Sequence, residues 1–77
     1  MTVVVRETKE TTIRVVLGRG TGEVRAATGE PFLDHMLTTL GRYAGVDLAV
    51  EARGDLRHHL VEDVAIALGA GFAAFVP

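Results

Sequence analysis

Between Thr11 and Leu17 apolar and polar positions alternate, with Ile13, Val15 and Leu17 on one side and Thr12, Arg14 and Val16 on the other. A period of two is the signature of a strand with one covered face. The β-branched run from Thr2 to Thr8 predicts a strand before it. Asp47 to Arg53 repeats the alternation with Leu48, Val50 and Ala52 inward, and Glu23 to Ala27 predicts a short further strand. Between these the period lengthens: Phe32, Leu33, Met36, Leu37 and Leu40 form an apolar stripe at helical spacing, with Asp34 and His35 off its centre. Pro31 suits the first position of that helix and Gly45 its end. A second helix runs from about His58 to Phe75 and is apolar nearly all round beyond its first turn, which predicts burial on more than one side.

The order β-β-β-α-β-α predicts an α+β domain of two layers, a four-stranded antiparallel or mixed sheet with both helices on one face. Gly18-Arg19-Gly20-Thr21-Gly22 joins strand to strand and opens no helix, so it reads as a hairpin loop and not as a phosphate cradle. No internal repeat or linker divides the chain, and residues 1–77 read as one domain.

Composition adds a constraint. A chain of 77 residues buries only about 60% of its unfolded surface. Yet 48% of its residues are hydrophobic, mostly small and aliphatic, with three Phe, one Tyr and no Trp. So much aliphatic surface on so small a body favours burial between subunits. The absence of cysteine excludes disulfides and thiolate metal sites and is compatible with a reducing cytoplasm, the expected location. A formal charge of −2 shows no basic excess of the kind that drives nucleic-acid binding. No stretch has the length of a membrane span, and no charged segment followed by a long apolar run marks a leader.

The chemistry is concentrated in two places. His35, His58 and His59 are the only histidines, and they occur in Asp34-His35 and in His58-His59-Leu60-Val61-Glu62-Asp63. On a helix His58 and Glu62 share a face, while His59 lies four residues before Asp63 on a neighbouring one. Neutral imidazole with carboxylate is a ligand set for Zn, Mn or Fe. Adjacent helical residues are rotated by about 100°, so His58 and His59 as ligands would serve two different ions. With so few donors, a second copy of the chain is the source of the remaining ligands, which ties metal binding to oligomerisation. The bland alternative is a surface His/Glu pair with no ligand.

Arg6-Glu7-Thr8-Lys9-Glu10-Thr11, Phe32-Leu33-Asp34-His35-Met36-Leu37, Gly54-Asp55 and His58-His59-Leu60-Val61-Glu62-Asp63 together resemble imidazoleglycerol-phosphate dehydratase of histidine biosynthesis. The resemblance covers nearly the whole chain. It is to the first of two repeated units that family members carry in one polypeptide. It implies a unit of four strands and two helices, paired through a pseudo-two-fold into a large hollow homo-oligomer with manganese between subunits; zinc or another divalent metal is also compatible with the donors. It implies His35, His58 and Glu62 as metal ligands from one unit and His59 from another. Glu10 resembles a substrate-contacting, proton-transferring glutamate, and His35 contributes to the substrate site. Asp63 and Asp34 are expected behind the ligands, where a carboxylate orients an imidazole by accepting its free N–H.

Two departures stand out. Only Leu56-Arg57 separates Gly54-Asp55 from the double histidine, a spacing more like that of the family's second unit. Much of the family's phosphate-binding set also lies in that second unit, and Arg6, Arg42, Arg53 and Arg57 read mostly as solvated charges. The resemblance implies loss of water from imidazoleglycerol phosphate, a small phosphate ester, to give imidazoleacetol phosphate. The competing reading is a metal-binding homo-oligomeric scaffold without dehydratase activity.

Overall fold

The computed structural model describes residues 1–75, in the order β1 (Thr2–Glu7), β2 (Thr11–Arg19), β3 (Val24–Ala27), α1 (Pro31–Ala44), β4 (Val46–Gly54) and α2 (Arg57–Phe75). The strands form one mixed sheet in the order β1-β2-β4-β3. β2 is antiparallel to both β1 and β4, whereas β3 runs parallel to β4. The expected α+β unit is therefore present, with its sheet of the mixed kind.

The alternation in the sequence sets which face is covered. Ile13, Val15, Leu17, Leu48 and Val50 are almost wholly buried and meet Leu37, Leu60, Val64 and Ala67 of the two helices in a single core. Side chains of even-numbered β2 residues and odd-numbered β4 residues occupy the other face, which carries no helix among the described residues. α2 lies over β1, β2 and β4, and α1 over β3 and β4. Close approach of α2 requires Gly71, since a Cβ there would come within 2.9 Å of Leu17 Cδ1. α1 ends as expected: Gly45 is left-handed at φ 68°, and its N–H bonds to the carbonyl of Arg42.

Three expectations need correction. The glycine segment is not a hairpin loop: Gly18 and Arg19 continue β2 opposite Asp47 and Val46, and the chain then passes β4 to reach β3. Asp47 shapes that passage by accepting hydrogen bonds from the N–H groups of Thr21 (3.2 Å) and Glu23 (3.0 Å). The apolar stripe of α1 is also divided. Leu37 is buried and Leu33 partly so, but Phe32 (74% exposed), Met36, Leu40 and Tyr43 face away from the sheet. Finally, α2 buries one stripe only, Leu60, Val64, Ala67 and Gly71, and leaves Val61 and Ile66 exposed. Periodicity identifies apolar faces without saying whether one chain covers them. No helix among the described residues is long and apolar enough to cross a membrane.

Candidate metal and catalytic site

The strand directions bring the chemistry to one end of the sheet. β1, β3 and β4 finish at the end where β2 starts, so the β1–β2 turn and the beginnings of both helices lie together. Glu10 is in that turn, His35 in the early part of α1, and His58, His59 and Glu62 in the first turns of α2. The Asp55 N–H donates to the Glu10 carbonyl at 3.0 Å, which fastens the β1–β2 turn to the start of α2. Arg57 pairs with Glu30, linking the starts of the two helices. Between them lies a cleft of about 470 Å³, bounded by residues that include Thr28, Glu30, Gly54, Asp55 and Leu60, and by none of the histidines.

The imidazoles are held unequally. His59 Nδ1 lies 3.1 Å from an Asp55 carboxylate oxygen, and the same oxygen accepts the N–H of Leu56 at 2.7 Å. The His58 and His59 rings are neighbours, with centroids 4.3 Å apart and planes tilted by 59°. The Asp55 hydrogen bond raises the His59 pKa above its ordinary 6.5, with the charges of Asp55, Glu10 and Glu62 acting in the same direction. The same hydrogen bond is the main reason that Asp55 is held below 3.8. His35 and His58 take part in no hydrogen bond or ion pair through their rings among the described residues. No three His, Asp or Glu side chains of the described residues converge as a metal-holding group, so one chain does not by itself gather His35, His58 and Glu62.

The two carboxylates expected behind the ligands have other partners. Asp63 accepts hydrogen bonds from Thr11 Oγ1 and, at 3.1 Å, from Arg6 Nε, tying α2 to β1 and β2. These donors lower its pKa, Thr11 more than Arg6. Asp34 accepts from the N–H (3.0 Å) and the hydroxyl (2.6 Å) of Thr28, which closes the turn into α1. The carboxylate that does meet an imidazole is Asp55, which motif reading left unassigned. A signal for it was present, because Asp55 and His59 are four residues apart at a helix start.

The donors present suit a divalent ion chemically: exposed or half-buried imidazoles with carboxylates close enough to act on one of them. They amount to part of a shell.

The family model described as imidazoleglycerol-phosphate dehydratase matches residues 28–76. Imidazoleglycerol-phosphate dehydratase of Archaeoglobus fulgidus is 56% identical over 68 residues, 88% of this chain and 36% of the relative. The protein of that name from Acidothermus cellulolyticus is 58% identical over 71 residues, 87% of this chain and 34% of the relative. A crystal structure of the dehydratase from Pyrococcus furiosus is similar with a TM-score of 0.85 and 42% identity, over 95% of this chain and 40% of that one. This chain thus spans little more than a third of the length of the curated relatives it matches. With the fold, the two histidine motifs and the family model in agreement, the chain belongs to the imidazoleglycerol-phosphate dehydratase family.

Proposed function

We propose that this unit takes part in the dehydration of imidazoleglycerol phosphate to imidazoleacetol phosphate, a lyase step of histidine biosynthesis in the cytoplasm, at sites completed between copies of the chain. The observation that carries the reading is the placing of Glu10, His35, His58, His59 and Glu62 at one end of a family fold. His35, His58, His59 and Glu62 would hold a divalent metal, manganese by resemblance, distributed over more than one chain. When bound, the metal supplies Lewis acidity that stabilises charge developing on the substrate. The carboxylate of Glu10 takes the proton from the substrate C–H and returns it to the departing hydroxyl, which leaves as water. The Asp55–Glu10 backbone bond fastens the turn that bears Glu10 to the start of α2. The exposed apolar row Phe32, Met36, Leu40 and Tyr43, with Val61 and Ile66 of α2, supports the assembly, since such a surface favours contact with another chain.

A second reading, a metal-binding assembly without turnover, is favoured by the cleft between the helix starts, which none of the histidines lines. A turnover assay with imidazoleglycerol phosphate and Mn separates the two. Dehydration that Glu10→Gln abolishes, with metal content retained, supports the lyase. No product from an assembled and metal-loaded sample at any substrate concentration leaves the scaffold.

A further inference from the structure

We propose that Asp55 is the positioning residue of the site, fixing His59 in the tautomer that carries its proton on Nδ1 and leaves Nε2 bare as a donor. This rests on the reading of His59 as a metal ligand. The geometry is specific to this pair. Asp55 Oδ1 lies 3.1 Å from His59 Nδ1 and is itself fixed by the Leu56 N–H at 2.7 Å. A carboxylate is an acceptor only, so in the neutral ring the shared proton belongs to Nδ1. The lone pair is then on Nε2, at the far side of the ring from Asp55. A ligating imidazole needs one nitrogen bare for the ion, and the other commonly donates to a group such as a carboxylate that holds the ring.

The position of Asp55 in the chain strengthens the assignment. Its N–H is bonded to the Glu10 carbonyl at 3.0 Å, so the group that orients the imidazole is anchored to the turn bearing the proposed proton carrier. A shift at either is transmitted to the other through one hydrogen bond. Asp63 and Asp34 meet no imidazole in this arrangement: the two Asp63 oxygens accept from Arg6 and Thr11, and Asp34 Oδ1 accepts from Thr28. Asp55 also suits the start of a helix, where a negative charge faces the free N–H groups. A purely structural role there would leave the tautomer of His59 unaffected.

The test is long-range ¹⁵N–¹H correlation of the ring nitrogens in metal-free protein labelled at histidine, at a pH where the rings are neutral, beside titration with Mn alone. We expect His59 to show a protonated Nδ1 and a bare Nε2. In Asp55→Ala it should lose that preference, and Mn should bind about 10–100-fold more weakly. Asp55→Asn keeps an acceptor oxygen and should restore the tautomer with intermediate affinity. Circular dichroism and sedimentation of each variant establish that fold and assembly persist. A proton on Nε2 in the parent chain, or the same tautomer in folded Asp55→Ala, overturns the role of Asp55 whatever metal is bound. The expected tautomer in a protein that takes up no Mn overturns the metal-site reading and leaves the role of Asp55 standing.

Discussion

The middle of the sheet and its chemical end are built on opposite terms. In the middle, Ile13, Val15, Leu17 and Val50 are fully buried, and the helices over them complete a core that one chain supplies. At the end where the helices start, the titratable groups are exposed or half-buried and no three donors of the described residues converge. The same helices that seal the core also turn Phe32, Met36, Tyr43 and Ile66 outward. The core is thus supplied by the single chain, whereas the proposed chemistry draws on an assembly. Variants should separate the two.

Truncation in the core should have the largest effect. Leu17→Ala should cost about 2–5 kcal/mol in urea unfolding, because a fully buried side chain is replaced by a cavity. On the outward row, Phe32→Ser with Met36→Ser should leave the intrachain packing almost intact but reduce the sedimenting species to smaller ones. If the double variant sediments like the parent, that row is not an interface. If it unfolds as Leu17→Ala does, the division between core and assembly is wrong.

The comparison sharpens within α2, where Glu62 and Asp63 are adjacent but belong to different regions. Asp63 is bonded to Thr11 and Arg6, so Asp63→Asn should lower stability while changing Mn affinity little. Glu62→Gln should do the reverse, since the amide keeps the shape and loses the charge that a hard ion favours. Equal Mn titrations of the two variants would remove the distinction. A smaller effect concerns acid. Asp63 has a folded-state pKa below its ordinary 3.8, so its contribution is complete above that value and is lost as pH falls through the lowered one. The urea midpoint of the parent should therefore drop more steeply below pH 3.8 than that of Asp63→Asn. Parallel curves would show that the Thr11 and Arg6 bonds do not persist in solution.

The middle of the sheet was the legible part of the sequence, because alternation in β2 and β4 reports a covered face directly. Its misreadings are physical. The glycines near Gly20 suggested a hairpin, but a local turn signal carries no information about β4, which arrives later in the chain and inserts between β2 and β3. Phe32 and Met36 read as one stripe with Leu33 and Leu37 because helical periodicity does not distinguish a face buried at home from one left for a neighbour. At the chemical end, the histidine motifs located the site, but which carboxylate meets which imidazole depended on side-chain geometry. Asp34 adjoins His35 and Asp63 follows His59 by four residues, yet both bond to threonines in space. Asp55, four residues from His59, makes the contact.

Sharing of the site between copies is tested most directly by mixing two defective chains. His58→Ala and His59→Ala each remove a different donor, and neighbours rotated by about 100° on a helix cannot serve one ion together. Each variant alone should bind little Mn and show no turnover. After the two are unfolded together and refolded as a mixture, hybrid assemblies should regain part of both, because intact His58 on one chain meets intact His59 on another. Recovery of neither in hybrids of parental size, or full Mn content in either variant alone, would contradict a site built between chains.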